Sequence, residues 1–359
     1  MHEVRRTYPV VAAATVVGVW LLSGCSQPKP PGPQPGAAKS AVKQKPATAV
    51  RFAYQDRVVD AVPIVAIAKG YFREEGLDVK GSRFTSGPAC SEALLSGAAD
   101  FGTMGDATAV IAAAQEAPVK IIASHGNGER RHRILVGKGS SIRTAPDLVG
   151  KKLAVKKGTS TYGGLLLWAK KQGLDLKKAN IIDLSPGDMP EALGSGAVDA
   201  LVASEPTPSQ LEAKGLGRQL ATLGGLGNTY PVLLVVRDRF IEAHPDAVVP
   251  FLRAMTRATM FLREHREDSV KLVAQVSGLP VAVAAKAMAR HDYDLRLDDS
   301  VTGSLKQTAN FLLAENKLEK APDWSRAVAK TWLQQALGHS AAGAPSSPEG
   351  RELPKESGQ

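Results

Sequence analysis

The stretch Lys156-Lys157-Gly158-Thr159-Ser160-Thr161-Tyr162-Gly163-Gly164 joins a short apolar run, Leu153-Ala154-Val155, to a second one, Leu165-Leu166-Leu167-Trp168-Ala169. A strand, a Gly/Ser/Thr turn and a helix in that order leave backbone N–H groups unpaired at the helix N-terminus. Such a terminus favours a small anionic or strongly polar group. The plainer role of Ser160 or Thr161 is to cap the helix. Other polar residues stand at comparable junctions. Asp106 precedes an Ala-rich helix, where it could serve as an N-cap, and Ser86 precedes a helix over 88–95, where it could satisfy a turn. Glu205 precedes Pro206, which suits a first helical position. Glu is a poor cap, so a role for Glu205 on a ligand is favoured. Catalysis has little to build on. The chain holds no Gly-x-Ser-x-Gly elbow, no paired cysteine ligands and no His-Glu-x-x-His. Its seven histidines are dispersed, and His125 and His132 flank Gly126-Asn127-Gly128, which reads as a solvated loop rather than a metal site. No cofactor and no metal are expected.

These junctions need a scaffold, and strands alternating with helices provide one. Strands are expected at Val50–Tyr54, from Leu77, from Asp100 and at Val119–Ala123, with helices over 62–75, 88–95 and 107–116 between them. The pattern then repeats: strand 153–155, helix 163–172, strand 180–184, helix 189–193, strand 199–203 and helix 207–213. This alternation implies parallel sheets covered on both faces. One match is sharper still. Glu92-Ala93-Leu94-Leu95-Ser96-Gly97-Ala98-Ala99-Asp100 parallels Glu191-Ala192-Leu193-Gly194-Ser195-Gly196-Ala197-Val198-Asp199, and the spacing carries Ser86 onto Ser185 and Asp106 onto Glu205. Two related α/β units would then present matching loops at the C-terminal ends of their strands, where ligands bind in open α/β sheets. After one further strand, 232–236, the chain is expected to be helical over 245–264, 266–276, 280–289, 300–315 and 325–337. Phe251, Leu252, Met255, Thr259 and Leu262 share one helix face and are expected to pack on the first unit.

The chain has 359 residues, 43% hydrophobic and 22% charged, which fits two globular units. Its formal charge of +10 is spread through the sequence and aromatics make up only 5%, which argues against nucleic acid as a partner. A basic balance suits an anionic surface or an acidic solute. Arg5-Arg6, the apolar run Val10 to Leu22 and Leu22-Ser23-Gly24-Cys25 resemble a bacterial lipoprotein signal ending in a lipobox. The resemblance implies a cleaved leader, residues 1–24, and acyl chains on Cys25 that hold the protein to a membrane without spanning it. Residues 25–49 read as a Pro/Lys-rich tether and 339–359 as a disordered tail. With Cys25 acylated, Cys90 has no disulfide partner and is expected to be a small buried residue beside a helix start.

Several further stretches resemble one family, the solute-binding proteins of ABC importers for nitrate, taurine, aliphatic sulfonates and thiamine precursors. They are Ala68-Lys69-Gly70-Tyr71-Phe72-Arg73-Glu74-Glu75-Gly76-Leu77-Asp78-Val79, Asp147-Leu148-Val149-Gly150-Lys151-Lys152, Gly158-Thr159-Ser160, Val198-Asp199-Ala200, Glu205-Pro206 and His291-Asp292-Tyr293-Asp294. The resemblance covers about residues 50 to 335. It implies a type 2 periplasmic-binding fold: two doubly wound α/β lobes joined by a two-strand hinge, with a ligand cleft between them. Lobe 1 is expected over 50–138 and 237–338, and lobe 2 over 139–236. The implied cleft residues are Gln55, Asp56, Ser86, Gly87 and Asp106 on one side, Gly158, Thr159, Ser160, Thr161 and Tyr162 across from them, and Glu205 and Tyr230 closing the site. The family often has an aromatic residue before the acidic-Pro pair; Ser204 stands there and removes a stacking surface for a ring. The implied partners are a small-molecule solute, a membrane permease and its ATPase, with the binding protein itself a monomer. An anion suits the N–H-rich turn, whereas Asp106 and Glu205 suit an amine. A small sulfonate-like or zwitterionic solute meets both, with nitrate or a thiamine-precursor pyrimidine as the alternative.

Overall fold

The structure, a computed structural model, describes residues 46–341. The expected leader, Cys25, most of the tether and nearly all of the tail lie outside the described residues. Where description begins, Thr48 and Ala49 already belong to the first strand, and the last helix runs on to Ala341.

The first half of lobe 1 reads β1 (Thr48–Gln55), α1 (Ala61–Ala68), α2 (Tyr71–Glu74), β2 (Leu77–Phe84), α3 (Gly87–Leu95), β3 (Phe101–Gly105), α4 (Asp106–Ala114) and β4 (Val119–Gly126). The helical stretch expected over 62–75 is two helices, because Gly70 breaks it with a left-handed φ of 72°. Lobe 2 follows with β5 (His132–Gly137), β6 (Lys152–Val155), α5 (Ser160–Lys171), β7 (Asn180–Asp183), α6 (Met189–Gly194), β8 (Ala200–Ser204), α7 (Thr207–Ala213) and β9 (Gly217–Thr222). The chain then returns through β10 (Val232–Arg237), α8 (Asp238–Ala243), α9 (Val248–Glu264), α10 (Arg266–Ser277), α11 (Val281–Met288), α12 (Asp299–Ala314), α13 (Trp324–Ala327) and α14 (Thr331–Ala341). The single helix expected over 325–337 is α13 and α14, separated where Val328 bridges to Ile121 of β4.

The two sheets have the same plan. One has the order β2-β1-β3-β10-β4 and the other β7-β6-β8-β5-β9. In each, three parallel strands are followed by an antiparallel strand that comes from beyond the crossover. Two strand placements therefore differ from expectation. Residues 132–137, expected in lobe 1, form β5 in the second sheet, and 232–236, expected in lobe 2, form β10 in the first. Each chain crossing thus exchanges a strand between lobes, so the crossover segments themselves are 127–131 and 223–231.

The internal sequence match is a structural one. Arg51 and Lys152 each exchange backbone bonds with the Asp of the motif: Asp100 N donates to Arg51 O at 2.8 Å and Asp199 N to Lys152 O at 2.9 Å. In return Arg51 N donates to Asp100 Oδ2 at 2.9 Å and Lys152 N to Asp199 Oδ2 at 2.8 Å. The same helix stop, turn and strand start have been built twice.

The larger core lies between the first sheet and α9. Phe251 of α9 stacks on Phe101 of β3 with centroids 3.9 Å apart and meets Phe52 of β1 edge-on at 5.0 Å. Phe251, Leu252, Met255, Thr259 and Leu262 are all buried, as the helical period requires. Cys90 is fully buried in α3. Among the described residues no single helix is long and apolar enough to cross a membrane.

Candidate functional site

The sheet registers explain why the chemistry gathers at one place. Val232 of β10 lies opposite both Gly105 and Gly126, and His132 of β5 lies opposite Ser204. The C-terminal ends of β3 and β8, which carry Asp106 and Glu205, therefore adjoin the two crossovers. The crossovers are pinned together where Gly128 N donates to Thr229 O at 3.0 Å. Gly128 has φ 137°, and a Cβ there would sit 2.6 Å from Arg290 O, so only glycine fits this contact.

Asp106 is the centre of the interlobe contact. Gly105 is the N-cap of its helix, so Asp106, the first helical residue, does not hold the N-cap position expected of it. Instead it accepts from Ser160 Oγ of lobe 2 and, at 2.7 Å, from Thr308 Oγ1 of α12. Asp106 is fully buried. Burial pushes its pKa up, opposed by those two hydroxyls and by the charge of Arg131. The opposite wall is the turn before α5. Thr159 caps that helix, accepting from Tyr162 N at 3.4 Å and donating to Lys156 O at 2.7 Å. Thr161 is bonded to His132 Nδ1 at 2.8 Å. Capping and interlobe contact are thus divided between neighbours, Thr159 doing the first and Ser160 the second. A Thr159→Ala variant should lose about 1 kcal/mol of stability, read as a lower midpoint in urea unfolding, and Thr159→Ser should restore it.

Other expected site residues play different parts. Gln55 is buried and its N–H donates to Asp60 Oδ2 at 2.5 Å. Asp56 is half-buried, with its N–H on Phe84 O. Ser86 caps α3 through Ala89 N at 3.4 Å, and Gly87 lies close under β3. Tyr162 packs edge-on to Phe311 of α12 at 6.1 Å, another contact between lobes.

Two expectations are corrected. The carboxylate of Glu205 belongs to the packing of lobe 2. Oε1 pairs with Arg133 Nη1 at 2.9 Å, and Oε2 accepts from Ser209 N of α7 at 3.2 Å. Arg133 is itself 1% exposed, and its other donors reach Gln219 at 2.7 Å and Glu212. What Glu205 offers to lobe 1 is its backbone carbonyl, 3.3 Å from Arg57 Nη2. Tyr230, at φ 48°, is a fully buried residue of the second crossover. Its hydroxyl donates to Leu223 O, and its carbonyl accepts from Arg131 Nη2 at 2.8 Å. The equivalences Ser86/Ser185 and Asp106/Glu205 hold in sequence position and not in side-chain role.

The sequence reading missed the cations. Arg131, in the first crossover, is buried, and its Nε has no hydrogen-bond partner. Burial lowers its pKa to about 10, so it remains charged at neutral pH, and the charge of Asp106 acts in the opposite direction. Arg57 and Arg131 both act on Asp60 and on the buried His132 and His291. Asp60 accepts from Gln55 N and Thr103 Oγ1, and desolvation raises it to about 7. The expected solvated loop at His125 and His132 is also corrected, since both rings are buried beside the hinge. Among the described residues no cluster of His, Cys, Asp and Glu has metal-ligand geometry.

His291 gives this centre a measurable pH signature. Nδ1 donates to Ala287 O at 2.9 Å, and desolvation, reinforced by Arg131, lowers its pKa to about 3. From pH 6.5 down to 3 the unfolded chain binds a proton that folded His291 does not, so its contribution is lost on acidification. Asp60 has the opposite sign: its raised pKa favours the folded state at low pH, and that contribution fades as pH climbs towards 7. The difference between the parent chain and His291→Gln isolates the histidine. The variant's stability should fall less steeply between pH 6 and 4, by about 1.4 kcal/mol per pH unit. Parallel pH profiles would contradict the assignment.

With this geometry established, the likeness to known proteins is extensive. The model of the NMT1/THI5-like family matches residues 60–269. The chain belongs to that family. A Bacillus subtilis relative named as an aliphatic sulfonates-binding protein is 28% identical over 91% of this chain and 97% of its own length. The taurine-binding periplasmic protein of Escherichia coli is 26% identical over 81% of this chain and 94% of its own. Among solved structures, the alkanesulfonate-binding protein SsuA of Xanthomonas axonopodis pv. citri, bound to MOPS, superposes with a TM-score of 0.70 at 29% identity, covering 80% of this chain and 99% of that one. The NMT1/THI5-like chain described here therefore has the periplasmic-binding-protein fold that the sequence motifs implied.

Proposed function

We propose that this protein is an exported solute-binding protein of an ABC importer. It captures a small sulfonate-like or zwitterionic organic solute between its lobes and passes it to a membrane permease driven by an ATPase. Acyl chains on Cys25 hold it at the outer face of the cytoplasmic membrane or in the periplasm, and it works as a monomer. The observation that carries this reading is the buried Arg131, with Nε unpaired, beside Arg57 and Asp106 where the lobes meet. Guanidinium donors and the amides at the start of α5 suit a sulfonate oxyanion. Asp106 suits an ammonium or hydroxyl at the other end of the solute. The correction at Glu205 strengthens the anionic part of the reading, because Arg133 neutralises the second carboxylate that would have repelled a sulfonate. The names of the relatives point to the same solute class.

The test has two parts. Native mass spectrometry of protein purified without dialysis should reveal a co-purified solute carrying a sulfonate. Thermal-shift titration should show stabilisation by ethanesulfonate and by taurine, about 2.7 kcal/mol at a hundredfold excess over Kd. A preference for taurine assigns Asp106 to the amine. No shift with either compound, together with a shift from nitrate or an aminopyrimidine, would replace the sulfonate reading.

A further inference from the structure

The opposite edge of lobe 1 carries a second constellation that the cleft does not use. A pocket of about 430 Å³ is lined by Arg51, Asp100, Arg237, Arg239, Phe240 and His244, among others. It lies at the start of β3, whereas Asp106 follows the end of that strand; five strand residues separate them, about 17 Å. Its charge is lopsided. Arg51 is spent on Asp100, donating through Nε at 3.0 Å and Nη2 at 2.5 Å. Among the described residues the Arg237 guanidinium has one marginal bond, from Nη1 to Ala99 O at 3.5 Å. Arg239 is exposed, and among the described residues its guanidinium has no hydrogen bond or ion pair. Two guanidinium groups thus face one cavity without a counter-charge.

The matching edge of lobe 2 lacks this arrangement. Val236 lies opposite Phe101 and Val136 opposite Ala200, so Arg237 and Arg239 correspond to Gly137 and Gly139 in lobe 2. The turn with its Gly and Asp is kept in both lobes, but the arginine pair is found in one. Gly97, at φ 82°, leaves room for Arg237: a Cβ there would lie 2.9 Å from Arg237 Nη1.

We infer that this pocket binds a phosphate group. Forked guanidinium donors match tetrahedral phosphate oxygens, and two uncompensated cations in one concavity favour an anion over a neutral or cationic ligand. The phosphate has two sources. The chain enters lobe 1 at this edge, at Thr48, three residues before Arg51, which brings lipid headgroups into consideration; a soluble phosphate compound is the other source.

The experiment uses the full-length chain, its Arg239→Gln variant and the Arg237→Gln/Arg239→Gln double variant. Each is titrated calorimetrically with inorganic phosphate and floated with vesicles of phosphatidylglycerol or of phosphatidylcholine. The parent chain should bind phosphate, or prefer phosphatidylglycerol over phosphatidylcholine, or both. Arg239→Gln should weaken that response about fivefold and the double variant about thirtyfold, with phosphatidylcholine flotation unchanged. A response to inorganic phosphate alone assigns a soluble ligand, and one to phosphatidylglycerol alone assigns a headgroup. Absence of both responses in the parent chain, or their retention in the double variant, overturns the inference. Arg239 is exposed and makes no hydrogen bond or ion pair among the described residues, so its single variant keeps the test valid if the double variant folds poorly.

Discussion

Replacing Arg133 by alanine should cost about 3–5 kcal/mol of folding stability, the largest effect expected of a single polar substitution in lobe 2. The reason is what the change leaves behind. Glu205 has a side chain with 0% exposure, and without Arg133 its remaining partner is the Ser209 amide. An ionised carboxylate is then buried without a cation, and the fold must expose it, protonate it or admit water. Glu212 and Gln219 lose the same guanidinium, although Glu212, at 29% side-chain exposure, can turn to solvent. Urea unfolding monitored by circular dichroism gives the number. Adding Glu205→Gln to Arg133→Ala should recover a good part of the loss, because the orphaned charge is gone, and the double-mutant cycle measures the coupling. A loss below 1 kcal/mol would mean that Glu205 reaches water and is free to act on a solute after all.

Arg131→Met should weaken solute binding by 2–5 kcal/mol, about thirtyfold to several thousandfold. Methionine keeps much of the volume and removes the charge. The guanidinium holds the two crossovers together through Tyr230 O, and its charge acts on Asp106, His132 and His291. Two consequences therefore separate. Loss of the Tyr230 contact lowers stability in the absence of solute, by about 1.5–3 kcal/mol for a charge-assisted bond. Loss of the charge lowers affinity for an anion specifically, so the ratio of affinities for ethanesulfonate and an uncharged analogue should collapse. Arg131→Lys should recover stability and affinity only in part, since an ammonium cannot reproduce a planar fork. Equal weakening for charged and uncharged ligands would make Arg131 a structural residue alone.

The architecture was largely legible because its signals are local. The alternation of strands and helices, the Gly97 and Gly196 helix stops and the apolar face of α9 each follow from a period or a turn requirement. What escaped was non-local. β5 opens with His132-Arg133, which reads as polar loop until Glu205, Glu212 and Gln219 are known to surround the arginine. β9 pairs as an edge strand and carries little apolar pattern of its own. The exchange of β5 and β10 between lobes depends on pairing across about a hundred residues, which no window of sequence contains.

The site shows the same division. The turn at Gly158–Tyr162 was found from its strand-turn-helix context, and Asp106 from its place after a strand. Their partners were not found, because an arginine in a run such as Glu129-Arg130-Arg131-His132 looks the same in sequence whether it is solvated or buried. One available signal was the His291-Asp292-Tyr293-Asp294 stretch. It supported the family resemblance, and in the structure it lies along the hinge, where Asn127 and Asp292 exchange backbone bonds. Glu205 was misassigned for a related reason: its preceding position matches that of Asp106, and only the buried Arg133 distinguishes a packed carboxylate from a cleft one.

In the proposed function a sulfonate-bearing solute is enclosed between Asp106 and the N-terminus of α5. Calorimetric titration of ethanesulfonate into the parent protein and into Ser160→Phe tests it most directly, because the Ser160 hydroxyl is the lobe 2 group that touches Asp106. Saturable binding to the parent protein, at least a hundredfold weakened in a Ser160→Phe chain whose circular dichroism is unchanged, is the expected result. Equal affinity in the two proteins would place the solute elsewhere.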